Sequence, residues 1–306
     1  MSGRIRLRLL ATSDLHAHLT SFDYLADRLD PALGLQAAGR VIAAAREEVA
    51  NCLFVDNGDL LQGGPLGDAV ADGFLAGAAH PMVAALAALG CDAATLGNHE
   101  FDFGLDLLGA AVEAAPFPFV ASNIRFTGGG PKTVESLVLE RDCVDEDGAV
   151  HRLRIGVLGF LPPQVAQWNR LALAGRVEVE DIVAAARRLG PPLREHCDLV
   201  IALAHTGLSR RAPAENEENA GRTLAALGLF DGIVLGHQHL LFPGPAFADL
   251  AEADIEGGKL AGVPAVMPGY AGGHVGVIDW DLAPGNGRWR PVSAKASLRG
   301  SGIPAS

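Results

Sequence analysis

The sequence predicts an α/β fold, on three observations. Short apolar runs of strand length alternate with segments of helical periodicity. Alanine and leucine dominate a hydrophobic content of 49%, which suits helices laid over a sheet. Five of the apolar runs end directly in a polar residue, as strands do where a sheet opens onto a binding crevice.

In chain order, residues 5–12 are a leucine-rich strand that runs into Ser13-Asp14. Residues 34–50 place Leu35, Ala38, Val41, Ile42, Ala45 and Val49 at helical spacing. Residues 52–56 (CLFVD) form a second strand before the loop Asn57-Gly58-Asp59. Helix is predicted at 82–89, strand at 92–96, a turn at Gly97-Asn98, helix at 105–115 ended by Pro116, and strand at 117–121. Gly128-Gly129-Gly130 marks a surface loop. The second half repeats the theme. Strand is predicted at 153–159 and helix at 182–193, with Pro191 and Pro192 breaking its end. The strand at 199–204 has His205 just past it. Helix follows at 219–227, and the strand at 232–235 precedes Gly236-His237. Strands at 263–266 and 275–280 and a hairpin turn at Gly285-Asn286-Gly287 complete the chain.

Composition excludes several classes. A formal charge of −12 argues against a nucleic-acid polymer as partner, since such proteins present a basic face. No run of about 18 apolar residues occurs, so no membrane span is expected, and no signal peptide is visible. Cys52, Cys91, Cys143 and Cys197 contain no C-x-x-C pair and read as buried free thiols.

Asp14, Asp59, Asn98, His205 and His237 each follow an apolar strand, so the open sheet rule brings them to one crevice. Taken singly, each is a turn or cap residue; the ordered set points to chemistry. The fragments Asp14-Leu15-His16, Gly58-Asp59, Gly97-Asn98-His99-Glu100, Ala204-His205-Thr206-Gly207 and Gly236-His237-Gln238-His239 supply oxygen and imidazole donors and no thiolate. That donor set suits Zn, Mn, Fe, Co or Ni and argues against a cysteine-rich structural zinc site. Asp14 and His16, two apart on an extended segment, would point the same way. The glycines before Asp59, Asn98 and His237 let the backbone turn sharply there.

These fragments, in this order, resemble the calcineurin-like metallophosphoesterases. Residues 56–68 (DNGDLLQGGPLGD), 97–102 (GNHEFD), 236–244 (GHQHLLFPG) and 263–269 (VPAVMPG) narrow the resemblance to the 5′-nucleotidase group. Within it they are most similar to the 2′,3′-cyclic-nucleotide 2′-phosphodiesterase/3′-nucleotidases. The resemblance implies a four-layer α-β-β-α sandwich spanning residues 1–306. It implies two divalent metal ions. Asp14, His16 and His239 would hold one, Asn98, His205 and His237 the other, and Asp59 would bridge them. His99 would face the substrate as a general acid, with Asp102 orienting it. Such a pair of ions clamps phosphoryl oxygens and activates water. It also leaves the site at about +1 charge inside an acidic molecule, so metals and not basic side chains attract the substrate.

The resemblance implies a small nucleotide substrate: a 2′,3′-cyclic nucleotide taken to the 3′-nucleotide and then to nucleoside and phosphate. The alternatives are a 5′-nucleotidase or nucleotide-sugar hydrolase, and, in another class, a catalytically silent metal-binding module of a longer protein. A protein phosphatase is disfavoured, because residues 58–64 (GDLLQGG) lack the arginine those enzymes place after the aspartate. The family's C-terminal nucleotide-recognition domain is expected to be absent from this chain and present in the full-length protein. The family implies a periplasmic location; a native N-terminus without a signal would imply a cytoplasmic one. Glu100 is expected to support the site, not to bind metal. His18 reads as a solvated loop residue, His274 as packing, and Glu215, Glu217 and Glu218 as a solvated helix start.

Overall fold

The computed structural model describes residues 3–74 and 77–302. The main elements are β1 (Ile5–Thr12), α1 (Leu35–Glu47), β2 (Asn51–Asp56), α2 (Pro81–Ala88), β3 (Ala93–Thr95), α3 (Gly104–Ala114) and β4 (Phe119–Val120). Then come β5 (Leu137–Val144), β6 (Val150–Phe160), α4 (Ile182–His196), β7 (Leu199–Ala204), β8 (Gly232–Leu235), β9 (Val263–Pro268), β10 (His274–Gly285) and β11 (Arg288–Gly300). One sheet has the order β11-β10-β1-β2-β3-β4, and a second contains β9-β8-β7-β6-β5 with short strands at its edge. The β1-β2-β3-β4 pairings are parallel, as are β6-β7, β7-β8 and β8-β9.

Alternation along the strands builds the layers. On β7, Leu199, Ile201 and Leu203 enter the core between the sheets, while Val200, Ala202 and Ala204 face the helices outside. On β1, Leu7, Leu9 and Ala11 join the same inter-sheet core, and Leu10 faces the helical side with Ile42 and Leu86. Ile182, Ala185, Ala186 and Leu193 of α4 cover the second sheet's outer face. Three apolar layers therefore separate α, β, β and α, the sandwich the resemblance implied. Strands buried on both faces read as unbroken apolar runs, which is why β7 and β8 lie where the sequence put them; β1 keeps Arg6 and Arg8 in its first half and becomes apolar only beyond them.

Four expectations need correction. The helix expected at 182–193 is not broken at its end by Pro191 and Pro192; it runs through both prolines to His196. Both rings sit on the solvent side, and the buried Leu193 one residue on rewards continuation. The helix at 219–227 shrinks to Gly221–Ala225, so Glu215, Glu217 and Glu218 precede it in turns. His18 is not solvated; it is partly buried, with Nδ1 enclosed and its ring edge-on to Tyr24 at 6.0 Å. Of the thiols, all free, Cys143 and Cys197 are buried while Cys52 and Cys91 are only partly so. The hairpin turn stands: β10 and β11 pair up to Gly285 and Arg288, with positive φ at Asn286 and Gly287. No helix among the described residues is long and apolar enough to cross a membrane.

His80 yields a stability prediction. Its buried ring caps α2, Nδ1 accepting from the Met82 N–H at 3.3 Å. Burial pushes its pKa from 6.5 down to about 4. The unfolded chain takes up the proton near the ordinary value and the folded chain only near pH 4. Below about pH 6.5 the unfolded state therefore binds more protons, and stability falls as pH falls through that window. Urea titrations at pH 7.5 and 5.0 should show wild type losing about 2 kcal/mol more than His80→Asn, which keeps a capping acceptor without the titration. Equal losses would remove His80 as the source.

Candidate metal centre

The site lies where the parallel strands end. Asp14 follows β1, Asp59 follows β2, Asn98 follows β3, His205 follows β7 and His237 follows β8, so both sheets contribute to one crevice. Two groups of donor atoms form there. Asp14, His16 and His239 make one, and Asp59, His205 and His237 the other, with the atoms of each group within 4.8 Å of one another. Asp59 stands between them: Oδ2 lies 3.0 Å from His205 Nε2 and 3.8 Å from His16 Nε2. Asp14 Oδ1 lies 3.4 Å from His239 Nε2 and 3.8 Å from His205 Nε2. Asn98 is beside them, since the N–H of the next residue, His99, donates to Asp59 Oδ1 at 2.8 Å.

The hydrogen bonds prepare these rings to coordinate. His16 Nδ1 donates to the Gln62 carbonyl at 2.9 Å, and His205 Nδ1 to the Asn57 carbonyl at 2.8 Å. A carbonyl only accepts, so each neutral ring carries its lone pair on Nε2, facing the cluster. Glu218 accepts from His237 Nε2 at 2.9 Å, which leaves that lone pair on Nδ1. Buried Asn98 Oδ1 has no hydrogen-bond partner, and buried His205 Nε2 meets only the Asp59 carboxylate, 3.0 Å away. Unsatisfied buried acceptors beside carboxylates are costly unless a cation completes them, so the donor set fits divalent metal ions. Electrostatics agree. Burial opposes charge on His205, but Asp59 and Asp14 overcome it and raise its pKa to about 10. Burial would raise Asp59, but His205 and His16 hold it below its usual range. A dication would feel the same pull and would compete with a proton on Nε2.

The segment carrying Asp14 and His16 is not extended, contrary to the sequence reading. Asp14, His16, Asp59, His237 and His239 have φ of 53°, 47°, 54°, 69° and 57°. Non-glycine residues held there cost of order 1–3 kcal/mol each and cluster at functional sites. The surroundings enforce it. Buried Glu100 accepts from the N–H groups of Asp59 (2.8 Å), Leu60 (2.6 Å) and Leu61 (3.2 Å), and from Gly97. Asp14 accepts from the His237 N–H at 3.0 Å. Glu100 thus supports the loop, as expected. The glycines divide by role: Gly58 takes φ 87°, whereas Gly97 is needed for space, since a Cβ there would lie 2.2 Å from Asp59 Oδ1.

His99 sits on the rim, its ring centroid 5.3 Å from that of His16. Its Nδ1 donates to Asp102 Oδ2 at 2.7 Å, and this bond raises the imidazole's pKa. Sequence reasoning missed the supports. Trp168 stacks on His237 at 5.7 Å, and Tyr270 on His239 at 5.2 Å. Glu218, read as solvated, binds His237. These partners come from loops and one short helical turn, too brief for a periodicity of their own, so only the three-dimensional arrangement reveals them.

A profile of the family described as calcineurin-like phosphoesterase matches residues 7–241. The chain is 43% identical over 301 residues to the 2′,3′-cyclic-nucleotide 2′-phosphodiesterase/3′-nucleotidase of Salmonella typhimurium, covering 97% of this chain and 46% of that protein. It is 39% identical over 302 residues to the trifunctional nucleotide phosphoesterase protein YfkN of Bacillus subtilis, covering 96% of this chain and 21% of that protein. The chain thus spans half or less of the length of these curated relatives. The crystal structure of calcineurin-like phosphoesterase YfkN from Bacillus subtilis superposes with a TM-score of 0.89 at 38% identity, covering 97% of this chain and 91% of that one.

Proposed function

Because this chain belongs to the calcineurin-like phosphoesterase family, we propose that it hydrolyses 2′,3′-cyclic nucleotides to 3′-nucleotides and these to nucleoside and phosphate. The observation that carries the reading is the meeting of two donor groups at Asp59. Asp14, His16 and His239 would hold one divalent cation and Asn98, His205 and His237 the other, with Asp59 shared. When bound, such ions supply Lewis acidity at phosphoryl oxygen and lower the pKa of water.

The chain's own residues do the rest. His16 and His205 present lone pairs already oriented by backbone carbonyls. His99, protonated and held through Nδ1 by Asp102, offers Nε2–H to the phosphoester. As water's oxygen bonds to phosphorus and the bond from phosphorus to the sugar oxygen breaks, that proton passes to the leaving oxygen. The substrate class is supported by the names of the relatives above.

Turnover of 2′,3′-cyclic AMP, 3′-AMP and 5′-AMP, before and after chelation, tests the proposal. The first two should be hydrolysed faster than 5′-AMP, and chelation should abolish all three. Preference for 5′-AMP would favour the 5′-nucleotidase reading, which relatives such as the 5′-nucleotidase of Vibrio vulnificus, 29% identical over 208 residues, keep open. Full activity after chelation would end both.

A further inference from the structure

We propose that Asn169 is a positioning residue for His99: it fixes Asp102 in the orientation in which Asp102 holds the imidazole. The proposal rests on the reading of His99 as general acid. Asn169 Nδ2 donates to Asp102 Oδ1 at 2.7 Å, while Asp102 Oδ2 accepts from His99 Nδ1 at 2.7 Å. Each carboxylate oxygen has one partner, so the plane of the carboxylate is set from both sides. Asp102 and His99 are both partly open to water, with side chains 29% and 40% exposed. Without Asn169, the carboxylate would be free to turn toward solvent.

The position of Asn169 shows what its side chain forgoes. It lies between two four-residue helical turns, Val165–Trp168 and Arg170–Leu173, at the N-cap of the second. An asparagine there ordinarily accepts from an N–H of the first turn. Asn169 makes no such bond; its amide reaches instead to a residue 67 positions away. The backbone that carries it is anchored. Val165 and Leu173 are buried, and Gln164 donates to the Asn216 carbonyl at 2.8 Å. Trp168 stacks on His237 at an interplanar angle of 22°. One short segment thereby braces both the His99–Asp102 pair and a ligand of the metal centre.

The test compares leaving groups on protein loaded with two equivalents of Mn²⁺. A general acid matters for 3′-AMP, whose sugar alkoxide needs a proton, and hardly for bis(p-nitrophenyl) phosphate, whose phenolate does not. Asn169→Ala should slow 3′-AMP about tenfold, the worth of one hydrogen bond to a charged group. The loss should fall on kcat with KM little changed, and bis(p-nitrophenyl) phosphate should stay within about twofold. In the Asp102→Asn background the same change should add nothing, since Asn169 acts through Asp102. Equal losses on both substrates, or an additive double variant, would overturn the proposal. His99→Asn serves as control. If it lacks leaving-group dependence, the reading of His99 falls and this proposal with it. If it shows that dependence and Asn169→Ala does not, the proposal alone falls.

Discussion

Replacing His99 with asparagine should lower turnover of nucleotide esters about 10²–10⁴-fold while metal content stays unchanged, the range expected when a positioned acid is lost. The reasoning is geometric. The ring touches neither donor group as a member, and its Nδ1 is committed to Asp102 at 2.7 Å. Only Nε2 is left to face a substrate. Asparagine retains the backbone N–H that donates to Asp59 Oδ1, so the neighbouring centre keeps its brace. Asp102 holds the imidazole's pKa above its ordinary 6.5, so the protonated form persists to higher pH than in a free histidine. Activity that depends on that proton is present below the raised value and is lost as pH climbs through it. Asp102→Asn should move the loss to lower pH. Metal analysis alongside the rate assay decides the matter: unchanged turnover in His99→Asn removes the residue from the reaction, and lost metal would make it structural.

How much of this was readable in the sequence depends on where each interaction's partner lies. Strands such as β7, buried on both faces, announce themselves as apolar runs, and the residue after each run is then placed by sheet geometry alone. Asp14, Asp59, Asn98, His205 and His237 were therefore legible as a set. The edge strand β5 was not, because Glu140, Arg141 and Asp142 interrupt it and only Leu139 and Cys143 are buried. Nor was the passage of α4 through Pro191 and Pro192, where the packing of Leu193 outweighs two lost backbone bonds. The supports were least visible of all. Glu100 is local to the motif and was placed correctly, but Glu218, Trp168 and Asn169 act across the fold. The left-handed backbone at five of the seven candidate ligands also has no sequence signature, since nothing in Asp or His demands it. It is imposed by bonds from Glu100 and Asp14 that form only once both sheets are assembled.

Replacing Asp59 with asparagine should be more damaging, and in a different way. Asp59 is 1% exposed, and its Oδ2 is the atom that approaches both His205 Nε2 and His16 Nε2. Asparagine has the same shape and can still accept at Oδ1 from the His99 N–H. What it removes is a charge that faces both donor groups through a single oxygen, and it turns an N–H₂ toward imidazole nitrogens that would otherwise meet cations. Metal content should drop below two ions per chain, and turnover should fall at least about 10³-fold, since the ions' stabilisation of the transition state amounts to several kcal/mol. Folding should survive with lowered stability: asparagine keeps the shape and the acceptor for the His99 N–H, but the pairing of the carboxylate with His205 is lost. Melting curves separate this outcome from simple unfolding. The melting temperature of wild type should drop on chelation and recover with added Mn²⁺, as for any ligand bound only by the folded state. That of Asp59→Asn should shift less on both treatments. A variant that keeps both ions and loses less than tenfold in rate would show that the two donor groups do not share Asp59, and the two-cation reading would lose the contact on which it turns.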